Sequence, residues 1–164
     1  TRGRVKTKII MLTMLALLFP ATAWADEPIF SFGSKTRWQS LFGPTTGGSF
    51  GSPGGGGFVG AELSVNRIRE GIWWGFYADG SYDFGQESAL ITAGPSIGWN
   101  FFGVDGGFAL REGSETEFGL QSRMLVTIGF FGLYGRYIHL PETDEHVGQA
   151  GVYFKVPIWA SRAE

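Results

Sequence analysis

The chain is 164 residues long, the length of one domain, with 13 Lys and Arg against 15 Asp and Glu and no cysteine. Without cysteine there is no disulfide framework and no thiolate chemistry, and an acidic balance without a basic patch argues against nucleic acid as a partner. Charged residues make up 17%, below the roughly 25% of an ordinary soluble domain, while glycine (27 residues) and aromatics (16%) are both high. That balance fits a β-protein touching something other than water.

Residues 1–25 read as a secretory signal peptide. Arg2, Arg4, Lys6 and Lys8 form a basic n-region, Ile9–Phe19 an apolar h-region, and Ala23-Trp24-Ala25 an A-x-A cleavage site that places Asp26 at the mature N-terminus. The apolar run is shorter than the ~20 residues that a membrane-spanning helix needs. Cleavage would remove four basic side chains and no acidic ones, leaving nine against fifteen, a balance of −6. Residues 26–164 are then the exported domain.

From Asp26 onward the composition is at first loose, with Ile29-Phe30-Ser31-Phe32 followed by Trp38, Leu41 and Phe42. The Gly/Ser/Pro/Thr-rich tract 43–57 reads as a flexible connection. Between residues 57 and 159, seven segments alternate apolar and polar side chains, as strands with one greasy and one polar face do. In the first, Val59, Ala61, Leu63 and Val65 oppose Gly60, Glu62, Ser64 and Asn66. In the second, Ile72, Trp74, Phe76 and Ala78 oppose Trp73, Gly75, Tyr77 and Asp79, with Asp83 further along the polar face. The third sets Ala89, Ile91, Ala93, Ile97 and Trp99 against Ser88, Thr92 and Ser96, and the fourth sets Val104 and Phe108 against Asp105 and Arg111.

The fifth sets Phe118, Leu120, Met124 and Ile128 against Glu117, Gln121, Arg123 and Thr127. The sixth places Leu133 and Tyr137 opposite Tyr134, Arg136 and Ile138, and the seventh Ala150, Val152 and Phe154 opposite Gln149, Gly151, Tyr153 and Lys155. A one-residue slip would turn charges onto the apolar face, so register is strongly specified. The connections alternate too. Arg67–Gly71, Phe101-Phe102-Gly103 and Phe131-Gly132 are short; Gly85–Glu87, Glu112–Thr116 and Pro141–Val147 are longer or more acidic. Short turns at one end and longer loops at the other is the arrangement of an outer-membrane barrel. Such single-chain barrels have even strand numbers. An eighth strand is therefore expected within residues 29–42, with the tract 43–57 as the first outer loop.

Alternation alone is also compatible with a soluble lipocalin-like barrel or a β-sandwich that turns its apolar face inward. Membrane is favoured because most segments supply the 9–11 residues of a tilted spanning strand, and because Trp74, Trp99, Phe118 and Phe130 would crowd a small soluble core. The polar face points the same way. Its charges, Glu62, Asp79, Asp83, Asp105 and Glu117 against Arg111, Arg123, Arg136 and Lys155, nearly balance and are interleaved with small residues. They are expected to fill the lumen as ion pairs, since an unpaired buried charge is costly and eight strands leave room only for side chains. The expected fold is all-β, an eight-stranded antiparallel up-and-down transmembrane β-barrel.

In this pattern the chain resembles the small eight-stranded outer-membrane proteins of the OmpA-transmembrane and OmpX type, over most of residues 57–159 and in architecture rather than alignable motifs. Its most specific element is the last strand, where Gln149, Gly151, Phe154 and Val156 look like the barrel-assembly signal: polar, x, Gly, x, x, aromatic, x, hydrophobic. In that family the signal closes the chain on an aromatic residue; here the chain runs on through Pro157 and Trp159 to Glu164. The resemblance implies residence in a Gram-negative outer membrane, contact with membrane lipids and lipopolysaccharide, and engagement of the barrel-assembly machinery during biogenesis. The outer loops leave room for an extracellular partner.

Candidate chemistry is sparse. His139 and His146, with Glu142, Asp144 and Glu145 nearby and Ser114 on a neighbouring loop, could supply a base and a nucleophile at an outer rim, but two histidines on a polar loop are more often ordinary surface residues. Asp144, Glu145, Glu112 and Glu115 could hold divalent cations between lipid phosphates, without the spacing of a metal motif. The run Gly54–Gly57 lacks the Lys-Ser/Thr of a phosphate loop. Neither a catalytic centre nor a cofactor is expected. A filled lumen points to a structural or interaction role, with a narrow pore, a soluble exported lipid-binding barrel and a rim lipid-modifying enzyme as the alternatives.

Overall fold

The computed structural model describes residues 36–51, 54–113 and 115–161; the signal-peptide segment 1–25, the upstream part of the expected first strand (29–35) and Ser114 lie outside the described residues. Nine strands follow one another: β1 (Arg37–Gly51), β2 (Gly57–Arg69), β3 (Ile72–Asp83), β4 (Ser88–Trp99), β5 (Phe102–Glu112), β6 (Thr116–Ile128), β7 (Phe131–Leu140), β8 (Glu145–Phe154) and β9 (Val156–Ala160). Each strand pairs antiparallel with the next from β1 to β8, and β1 also pairs with β8 and β9, closing the sheet.

β8 and β9 are two lengths of one stave. Thr45 faces Tyr153, and three residues along, Phe42 faces Val156 in the same register. The ladder lapses around Lys155, beside Pro44, which has no N–H to donate. One residue later the register shifts between Ser40 and Leu41, a β-bulge of the kind common at barrel rims. The closed sheet therefore has eight staves, as expected.

The tract 43–57 departs from the expected loop. β1 continues to Gly51, and Gly47 and Gly48 are paired on both sides, with Phe58 and Gly57 of β2 and with Gly151 and Ala150 of β8. The physical reason is space. A Cβ on Gly47 would meet the backbone of Ala150 and Gly151 and the ring of Phe58, so this stave is lined with glycine where its neighbours press closest. Composition reads such a stretch as linker because glycine carries no alternation. At the other end of the domain, β8 begins at Glu145, so the expected loop Pro141–Val147 shrinks to the four residues between Leu140 and Glu145.

The turn end of the barrel is tight. Glu70 and Gly71 both have positive φ (52° and 80°), the two-residue type I′ geometry whose twist matches paired strands. Each turn is also tied to the next stave. Gly71 accepts a backbone bond from Asn100, Phe101 from Thr127 and Phe130 from Lys155, at 2.7–2.8 Å.

The alternation sorts as read. Val59, Leu63, Phe76, Ile91, Ile97, Phe108, Phe118, Leu120, Met124 and Leu133 are exposed on the outside, while Glu62, Asp79, Asp105, Arg123 and Arg136 are buried within. Rings gather at the turn-end rim, where Trp38 and Trp74 pack edge to face (5.8 Å between centroids) and Phe154 lies against Phe131 at 4.8 Å. Arg67 sits over the Trp74 ring at 5.9 Å, a cation on an amphipathic ring of the kind that anchors interfaces. An apolar band flanked by aromatic residues around a polar interior cannot be solvated from outside by water without exposing most of the large hydrophobics. It is the surface of a protein that spans a bilayer.

Candidate functional site: an ion-paired lumen

The interior is held by two salt bridges that cross the barrel. Glu62 is on β2 and Arg123 on β6, four staves apart in a ring of eight, hence on opposite walls. The Arg123 guanidinium donates through Nη1 and Nη2 to the two Glu62 oxygens at 2.6 and 3.0 Å, and through Nε to Asp105 Oδ2 at 2.6 Å. Lys155 Nζ also donates to Glu62, and Ser96 Oγ donates to Asp105. Two cations thus meet two carboxylates. The forked, charge-assisted geometry uses the donor plane that arginine offers and lysine does not. The rings of Tyr77 (4.5 Å) and Tyr134 (5.3 Å) flank the guanidinium.

Asp79 on β3 and Arg136 on β7 are likewise four staves apart. Arg136 Nη1 donates to Asp79 at 2.8 Å and to Gln149 Oε1 at 3.2 Å, and Thr45 and Thr92 each donate to Asp79 at 3.5 Å. A third group sits at the loop end, where Arg111 joins Glu117, its cross-strand partner on β6, and Glu145 of β8.

Of the nine charged residues expected in the lumen, eight therefore stand in these three groups. Asp83 does not. It accepts the backbone N–H of Gly85 and Gln86 at 2.9 and 3.0 Å, capping the β3–β4 turn as aspartate does in Asx-turns. Glu145 was not among the expected lumen charges, although the parity of Val147 and Gln149 carried back two residues would have placed it inside. Arg37, also buried, lies where the eighth strand was expected but was not among the expected lumen charges.

Apolar layers complete the filling. Leu90, Ala109, Ile138, Leu140 and Val147 cluster toward the loop end, and Phe58, Leu125, Tyr134 and Tyr153 form a second cluster with Trp73 against it. Tyr153 stands over Gly132, where a Cβ would collide with its ring. Gly132→Val should therefore displace Tyr153 from Thr127, its hydrogen-bond partner. The expected loss is about 1–3 kcal/mol, typical of overpacking, read as a lower urea midpoint in folded micelles. Between the turns and the Glu62–Arg123 bridge remains a cavity of about 130 Å³, lined among others by Gln39, Ser64, Asn66 and Trp73.

The assembly-signal residues divide between the two surfaces. Gln149 and Gly151 face the lumen, Phe154 faces out among the turn-end rings, and Val156 opens β9. His139 and His146 project outward from the loop end of β7 and β8 as register partners. The residues Gly94-Pro95-Ser96-Ile97-Gly98 spell Gly-x-Ser-x-Gly, but they run along the second half of β4 rather than a sharp strand-to-helix turn. Ser96 is bound to Asp105 in the lumen, away from either histidine.

No family model and no curated protein matches the chain. Among solved structures it is similar to a de novo designed transmembrane β-barrel (10% identity, TM-score 0.46, covering 72% of this chain and 96% of that one). It is also similar to Neisserial surface protein A (13%, 0.45, 74% and 96%) and to Ail, the attachment invasion locus protein of Yersinia pestis, solved with the heparin analogue sucrose octasulfate (14%, 0.38, 74% and 99%). On its own strand order, closure and surface, the chain is an eight-stranded antiparallel transmembrane β-barrel with the architecture of the small outer-membrane barrels.

Proposed function

We propose that the protein is an occluded barrel of a Gram-negative outer membrane with a structural or interaction role, and that it does not conduct. The observation that carries this is the pair of diametric bridges, Glu62–Arg123 and Asp79–Arg136, packed between two apolar clusters. Eight staves give an interior just wide enough for side chains, and here those side chains are locked to the opposite wall. The signal-like segment 1–25 and the fold itself favour export to the outer membrane, with the short turns in the periplasm and the longer loops outside. Lipids and lipopolysaccharide would cover the apolar band, and β8 would present Gln149, Gly151, Phe154 and Val156 to the assembly machinery. A rim enzyme is disfavoured because His139 and His146 stack on each other on the outer face, away from the buried serines.

Fractionation of cells expressing the chain, followed by gel migration with and without boiling, tests the location. The expected result is an outer-membrane protein whose unheated form runs ahead of the boiled one. In planar bilayers the purified protein should give no discrete current steps. A soluble periplasmic protein with one unchanging band would sink the membrane assignment, and reproducible unitary steps would replace the occluded barrel with a pore.

A further inference from the structure

The β7–β8 hairpin carries a cluster that the lumen does not use. His139 and His146 are directly opposed across the two strands, where side chains of an antiparallel pair stand about 4.5–5.5 Å apart at Cβ. Their rings stack at 4.8 Å between centroids and 14° between planes. Asp144, in the turn between the strands, brings a carboxylate 3.8 Å from His146 Nε2. One ligand atom from each of the three residues lies within 4.8 Å of the others.

Two further features point to a ligand. The Tyr137 hydroxyl is hydrogen-bonded to His146 Nδ1 at 2.6 Å, which fixes the ring and leaves Nε2 to face Asp144. Such an outer partner is what metal-bound histidines ordinarily have on their second nitrogen. On the other ring, His139 Nδ1 is shut off from solvent and has no hydrogen-bond partner.

We propose that His139, His146 and Asp144 form a binding site for a divalent transition-metal ion of the zinc class at the loop-end rim of the barrel. Two imidazoles and a carboxylate suit zinc, nickel or copper, whereas calcium and magnesium call for an all-oxygen shell. Three protein ligands leave a coordination position for water, as in open zinc sites. Donor atoms around a tetrahedral zinc at about 2.0–2.2 Å stand roughly 3.4 Å apart. Closure onto an ion falls to Asp144, whose side chain is 90% exposed, and to a turn of one imidazole out of the stack, since a metal lies in the plane of each ring that binds it; the strand pairing holds the two histidine backbones in place. A bound ion would pin the β7–β8 turn to its own hairpin.

Zinc titrated calorimetrically into the folded full chain in detergent micelles tests this. One ion per chain is expected. His139→Ala and His146→Ala should each weaken binding at least tenfold, since loss of a mere orienting partner costs about 10–100-fold. Asp144→Asn should weaken it less, and Tyr137→Phe should weaken it while leaving all three ligands in place. Cobalt should give the visible absorption of a site with nitrogen ligands, lost in the His139→Ala/His146→Ala double variant. All four side chains lie on the outside or in the turn, so the unheated gel band will show each variant folded. His146→Gln serves if an alanine variant does not fold. Absence of binding, binding unchanged in the double variant, or equal displacement by calcium would each overturn the proposal, the last by assigning the ion to surface carboxylates.

Discussion

Arg123→Met will lower the unfolding free energy of the barrel by about 3–5 kcal/mol, the penalty for removing one partner of a buried ion pair. Arg123 and Glu62 are almost wholly shielded (2% and 1% exposed), and Asp105 depends on the same guanidinium. The variant leaves Lys155 as the cation on Glu62 and takes from Asp105 the guanidinium it is paired with. The loss comes from the stranded carboxylates rather than from the missing attraction, because in a low-dielectric interior an unpaired charge is what cannot be tolerated. Adding Asp105→Asn to Arg123→Met, which leaves Glu62 paired with Lys155, should therefore recover part of the stability instead of compounding the damage. Urea unfolding in lipid vesicles, followed by tryptophan fluorescence and gel migration, provides the comparison. A midpoint within error of the parent would mean that water from the turn-end cavity solvates Glu62 well enough to make the bridge dispensable.

Leu63→Arg tests the outer surface as sharply as Arg123→Met tests the inner one. Leu63 lies midway along β2, flanked by Phe42 and Ala78 on the neighbouring staves, and is 42% exposed. On a lipid-facing wall an arginine near the midplane costs about 2–4 kcal/mol, falling to about 0–1 near the interface. Phe84→Arg, in the β3–β4 turn at the loop end, is the matched control and should be close to neutral. The depth dependence is the point of the pair. On a soluble protein Leu63→Arg would add a charge to an exposed position and change stability within about 0.5 kcal/mol, so equal small effects at both positions would remove the bilayer from the account.

Both experiments rest on the same feature, the separation of charge from grease along the strands, and that feature was legible in the sequence over the seven alternating segments. Glu62, Asp79, Asp105, Arg123, Arg136 and Lys155 share parity with their glycine and serine neighbours, and Leu63, Phe76, Ile91 and Met124 share the other. Alternation is a local property of extended backbone, so a period of two survives in the sequence without any knowledge of which strand lies beside which. The even strand count and the alternation of short turns with longer loops followed from the same reading.

Where local signals were weak, tertiary structure decided. β1 runs through the glycine tract because Phe58 and the backbone of β8 press against it, and a glycine inserted for space looks in composition like a glycine inserted for flexibility. Glu145 entered the lumen because β8 begins two residues before the loop was expected to end. Asp83 left the charge network to cap a turn. The sequence by itself determined the face on which each residue of the alternating segments lies, because side-chain direction is set residue by residue along a strand. Only closure of the barrel decided that β2 faces β6 and β3 faces β7. That matching made Glu62 the partner of Arg123 and Asp79 the partner of Arg136 across 61 and 57 residues of chain. Pairing across a lumen depends on stave number, tilt and stagger together, quantities of the whole sheet that no single strand encodes.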